Sequence, residues 1–108
     1  MDKYNNNQVS LAELAAKVSV TEEALLSRSH NQDDVDARSM VVALLMKMPG
    51  MRQQDVAPLL GITQVAVSKL LTRHRNMVRY NASYRSRWNE IVSAEKQDVQ
   101  PNEERNTI

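Results

Sequence analysis

With 108 residues, 42% of them hydrophobic, and no cysteine, the chain has room for one modest core and none for a disulfide framework, a thiolate zinc site or a cysteine nucleophile. Phe is absent and no stretch alternates with period two, so an all-α bundle of about six helices is expected. The net charge of +1 conceals a segregation that the chain, read in order, makes plain.

The N-terminus "MDKYNNNQVS" is polar and no apolar run approaches membrane-spanning length. Neither a signal peptide nor a membrane anchor is expected, and residues 1–7 are read as a flexible lead into a soluble, cytoplasmic domain over 8–94. Ser10 with Glu13 three residues later forms a capping box, which opens a helix whose Leu11, Leu14, Ala15 and Val18 share one face. Thr21 caps the next helix, with Glu22 and Glu23 in the first turn, where the macrodipole favours negative charge. That helix is expected to end near Ser29, with "HNQDD" as a polar connector. Asp33 or Asp34 then caps a longer helix carrying Val35, Val41, Val42, Leu44, Leu45 and Met48, stopped by Pro49 and Gly50. Its apolar positions wrap most of the way round, as expected of the central helix.

"QQDVAPLLGITQVAVSKLL", Gln53 to Leu71, comes next. Gly61 stands where a tight interhelical turn needs a left-handed residue, Ala57 is small enough for close approach, and Val56, Leu60, Ile62, Val67 and Leu70 supply apolar contacts. That spacing fits a helix-turn-helix over 53–75. If Val67, Leu70 and Leu71 turn inward, then Thr63, Gln64, Val65, Ser68, Lys69 and Thr72 form the outward stripe of the second helix. Such side chains can reach base edges in a major groove: Gln64 to adenine, Lys69 to guanine, Val65 to a thymine methyl, Thr63 and Ser68 to bases or phosphate. Arg73, Arg75 and Arg79 beyond them, and Arg52, Gln53 and Gln54 at the start of the preceding helix, are placed for phosphates.

Residues 1–36 hold seven acids against three bases, whereas Val56 to Asn89 holds no acid at all but Lys69, Arg73, Arg75, Arg79, Arg85 and Arg87, with His74. Such a block is either a polyanion footprint or a solvated helix face. Tyr80, Tyr84, Trp88 and Ile91 or Val92 recur at helical spacing and are read as core, although aromatics beside arginines can also stack on bases. Asn81 marks a break and Ser83 a fresh N-cap. From Glu95 the chain is too polar to bury and is read as a disordered tail, 95–108.

The segment from "LAELAAKV" to "LLTRHRNM", with "VSVTEEALLSRS" leading into an "AR" helix at Ala37 and Arg38, resembles the C-terminal DNA-binding domain of the replication initiator DnaA. Through "YRSRWNEIV" it is similar to the wider Trp repressor group. Over residues 8 to 92 the resemblance implies an all-α bundle whose variant helix-turn-helix binds duplex DNA through the major groove. The initiator's Arg-Asp-His-Thr-Thr signature is missing from "GITQVAVSK", and no G-x-x-x-x-G-K-[ST] loop is present. Neither box specificity nor ATPase chemistry is therefore implied, and "GITQVAVSKLL" reads more like a phage repressor's recognition helix.

"LAELAAKVSVTEEALL" repeats the same spacing, with Ala15 and Ser19 standing where Ala57 and Gly61 do. Glu22 and Glu23 would repel phosphates there, so this pair is read as scaffold or a protein-binding surface. His30 and His74 are far apart in sequence and accompanied by no metal-ligand spacing, and no serine sits in a nucleophile elbow. No catalysis, metal or cofactor is expected. The expected partner is double-stranded DNA, for a regulator or an accessory factor in replication or mobile-element and phage biology. A lone reading head makes few contacts, so a homodimer or a protein partner is expected to add to them. The competing expectation is an interaction module or adaptor that keeps the fold without DNA.

Overall fold

Local caps decide where each helix begins in the computed structural model, which describes residues 10–27 and 31–99. Helix α1 (Leu11–Lys17) starts at Ser10, whose hydroxyl accepts from the Glu13 amide at 3.2 Å. Helix α2 (Glu22–Leu26) starts at Thr21, which accepts from the Ala24 amide at 3.0 Å. Helix α3 (Gln32–Met46) is capped not by Asp33 or Asp34 but by Asn31, whose Oδ1 accepts from the Asp33 amide at 2.9 Å. A neutral Asn does the same work as Asp at a cap, and the two aspartates lie instead in the first turn, where they meet the positive helix end.

Helix α4 (Gln53–Leu60) is closed at its start by Asp55, whose carboxylate accepts from the Arg52 amide at 2.9 Å. Helix α5 runs from Gln64 to Tyr80 and α6 from Ala82 to Val99. Asn81 alone separates them: its amide donates to Met77 at 2.9 Å while its side chain accepts from the Tyr84 amide at 2.9 Å. Ser83, expected as the cap, therefore sits in the first turn of α6. Arg85 reaches back to donate to the carbonyls of Val78 (2.9 Å) and Arg79 (3.2 Å), satisfying acceptors that the end of α5 leaves open. Helix α6 continues through Val99, past Glu95 where the tail was expected to begin. The rest of that tail, residues 1–7, the expected helix end near Ser29 and the first connector residue, His30, lie outside the described residues.

The fold is all-α, with six helices and no strand among the described residues. Helix α3 is the hub. Ala37, Met40, Val41, Val42 and Leu45 are fully buried, because α1, α2, α4 and α5 surround it. A helix apolar all round can be stable only in such a position. Ala15, Val18, Leu25, Val56, Leu60, Val67, Leu71 and Tyr84 complete the core. Helix α5 is the second hub, packed on α3, α4 and α6. Among the described residues no helix is long and apolar enough to cross a membrane.

One core expectation is corrected. Tyr84 is buried and Trp88 and Ile91 pack against the core, but Tyr80 is 77% exposed. The break at Asn81 resets the helical phase, so a spacing of four across it does not keep one face. Outside, Tyr80 lies 5.9 Å from the Arg79 guanidinium, ring centroid to carbon.

Candidate nucleic-acid interface

Geometry at the α4–α5 turn follows from one backbone conformation. Gly61 has φ 67° and ψ 33°, and this left-handed step lets the Ile62 amide return to the Ala57 carbonyl at 3.0 Å. No atom lies within 4 Å of where a Cβ would stand, so glycine is needed here for its torsion and not for space. Two residues later Thr63 begins α5, accepting from the Ala66 amide at 3.0 Å.

Burial of Val67 and Leu71 fixes the rotation of α5 about its axis. Consequently Gln64, Val65, Ser68, Lys69 and Thr72 are all exposed along one side, followed by Arg75 and Arg79. Val65 is 65% exposed, an unfavourable place for a β-branched apolar side chain in a helix that gains nothing from it locally. Thr63 is also exposed, but its hydroxyl oxygen already serves as the cap. Its proton and its second lone pair are left for an outside partner. At the start of α4, Arg52 and Gln54 are exposed and Gln53 is half-buried; the Arg52 guanidinium lies 3.9 Å from the Asp55 carboxylate.

Cations of the acid-free block divide into two groups. Lys69, Arg75 and Arg79 point outward. Arg73, expected at phosphates, instead donates to Asp36 through both Nη2 (2.7 Å) and Nε (3.2 Å), tying α5 to α3. Arg85 closes α5, as above, and Arg87 donates to the Val18 carbonyl at 3.2 Å, closing the end of α1. Half of the block is thus engaged within the molecule, Arg73 and Arg87 with partners distant in sequence that a charge run cannot reveal.

His74 is no cation either. It is buried, shares a 2.8 Å hydrogen bond between Nδ1 and the Tyr84 hydroxyl, and meets the Trp88 ring edge-on with centroids 4.4 Å apart. Burial, and then the charge of Arg75, hold it below the ordinary imidazole range, so it is neutral at pH 7. Burial, and then the charge of Asp36, push the Tyr84 phenol well above its usual range. Asp36 and Tyr84, which hold Arg73 and His74 of α5, were not singled out as its anchors. Part of the signal was present: positions 67, 71 and 74 share one helical face, which places His74 inward.

The first helix pair matches the second at an offset of 42 residues, Ser19 against Gly61. Ser19 has φ 64°, and the Val20 amide returns to the Ala15 carbonyl at 3.0 Å as Ile62 does to Ala57. Thr21 caps α2 as Thr63 caps α5, both at 3.0 Å, and Leu25 is buried like Val67. The outward residues differ: Glu22, Glu23 and Leu26 are exposed where Gln64, Val65 and Ser68 stand in the second pair.

Among the described residues, no group of three or more His, Asp or Glu side chains could hold a metal ion. Comparison with protein-family models, with curated proteins and with solved structures gives no match for the chain.

Proposed function

We propose that the chain is a DNA-binding helix-turn-helix protein in which α4 supports α5 and α5 enters the major groove of duplex DNA. Kinship with the DnaA C-terminal domain and the Trp repressor group is part of the proposal, as is a cytoplasmic role as a regulator or an accessory factor. The observation that carries it is the outward side of α5: exposed Gln64, Val65, Ser68, Lys69 and Thr72, with no carboxylate anywhere on the helix. Gln64 and Lys69 can form bidentate or donor contacts with purine edges, and Val65 can meet a thymine methyl. Thr63, held at the start of the helix by its cap bond with its hydroxyl proton free to be donated, is assigned to phosphate.

Length divides the labour further. At about 1.5 Å per residue, Arg75 stands roughly 16 Å along the axis from Gln64, whereas the groove is about 12 Å wide. The first two turns of α5 therefore read, while Arg75 and Arg79 lie beyond the groove's edge against backbone phosphates. Arg52 and Gln54 flank the other side, with Gln53 more enclosed. A separation of positioning from reading contacts is the usual economy of such interfaces.

Gel-shift titration against random duplex DNA tests the proposal. Counting Arg75, Arg79 and Arg52 as phosphate contacts, log affinity should fall with log salt at a slope of roughly −3. Lys69→Glu with Arg75→Glu should abolish retention, while Arg73→Gln should weaken binding without changing the slope. No retention of any duplex at low salt would overturn the proposal. Selection of bound sequences then separates a two-fold dimer, which yields a palindrome, from a monomer.

A further inference from the structure

Helix α2 offers an outward face opposite in character to that of α5. Glu22 and Glu23 lie four and three residues before Leu26, so the three side chains share one side of the helix. On α5, Val65 and Lys69 are likewise four apart, and Arg75 and Arg79 follow. Leu26 is 42% exposed and Val65 65%; with Tyr80 they are the large apolar side chains that the described residues leave outside. An apolar side chain beside two carboxylates thus has its counterpart in one beside a row of cations. Matching of sign and of apolar contact is what partner surfaces provide for each other. Duplex DNA is not the occupant of α2, because its phosphates would face Glu22 and Glu23.

We propose that the α2 face docks on the α5 face of a second copy of this chain, Glu22 and Glu23 against Lys69 and Arg75, Leu26 against Val65. The two faces are exposed in the same molecule, so each copy brings both halves of the contact. Docking covers the side chains assigned above to the groove, and self-association then competes with DNA for α5. Only this competition rests on the DNA-binding reading; the docking does not. A five-residue helix covers little area beside the roughly 1,200–2,000 Å² of a stable interface, so the pairing is weak, reversible and sensitive to salt.

Sedimentation of the full chain at low salt, over a wide range of concentration, tests this. The weight-average mass should rise above that of the monomer and return to it at high salt. One variant, Glu22→Lys with Glu23→Lys, and another, Lys69→Glu with Arg75→Glu, should each weaken self-association at least about tenfold. Mixed in equal amounts they should associate again, because the first now carries a basic α2 and the second an acidic α5. All four substituted side chains are exposed, and circular dichroism verifies that both variants stay folded. A wild-type chain monomeric throughout, or variants that fail to recover association when mixed, would overturn the docking. If the wild type associates but retains no DNA, the DNA reading falls and the docking stands; if DNA is retained by a strictly monomeric chain, the reverse holds.

Discussion

Helix pairs α1–α2 and α4–α5 turn through the same left-handed step, at Ser19 and Gly61, and are closed by matching 3.0 Å bonds. One then stops after five residues with glutamates outside, and the other runs on for 17 with cations outside. The contrast separates what makes a turn from what makes a surface. A small residue, a left-handed residue, a β-branched residue and a threonine cap suffice for the turn. None of them dictates the outward side chains, which are free to diverge in function. Length follows from partners: beyond Thr72, α5 finds α3 through Arg73 and α6 through His74 and the aromatic residues, whereas α2 ends at Ser27, whose hydroxyl donates to the Ala24 carbonyl.

Substitution at matched positions can break the comparison or sharpen it. The largest effect is expected at the buried pair: Leu25→Ala should cost about 2–5 kcal/mol, with Val67→Ala about 1 kcal/mol less because one methylene fewer is removed. Chemical denaturation measures both, and a loss below 1 kcal/mol at Leu25 would mean that the first pair does not share the core. Next, Gly61→Ala should cost about 1–2 kcal/mol through its torsion alone, since nothing crowds the site. Ser19→Gly should go the other way, raising stability by about 0.5 kcal/mol as a strained torsion is relieved. Thr21→Ala and Thr63→Ala should each cost about 1 kcal/mol; amide exchange confined to α2 in one and to the first turn of α5 in the other would verify that the caps are equivalent.

The smallest effect belongs to a feature of the second pair alone. His74 has its pKa lowered from 6.5 in the folded chain, so the unfolded chain takes up a proton first as pH falls. Its contribution is complete above pH 6.5 and declines as pH falls below that value toward the folded pKa. Trp88 is the single tryptophan, and imidazolium quenches an indole in contact with it. Emission should therefore drop only at the lower end of that limb, as pH falls through the folded pKa. Absence of the step in His74→Gln identifies its source, and an unchanged step there would reject it.

Much of the fold could be read from the sequence, for local reasons. Ser10, Thr21 and Gly61 act within three or four residues of themselves, so their roles follow from spacing, and the apolar wrap of α3 announced its burial. Asn31 was missed because Asn, Asp33 and Asp34 are near-equal caps, and only the register of the helix chooses among them. The outward stripe of α5 could be read because Val67 and Leu71 fix its phase. The roles of Arg73 and Arg87 could not, since Asp36 and Val18 meet them only after the chain has folded, and that of Arg85 follows only once the break at Asn81 brings Val78 within its reach. Tyr80 was misassigned because a single residue, Asn81, interrupts the period on which its burial was argued.

The bond from Arg87 to the Val18 carbonyl joins residues 69 apart in sequence, so the last helix acts as a clasp on the first. Shortening the chain from its C-terminal side ahead of position 87 would not merely trim an appendage. It would leave the carbonyl of Val18 to water and loosen the already exposed Ser19 turn, while α1 stays packed on α2 and α3.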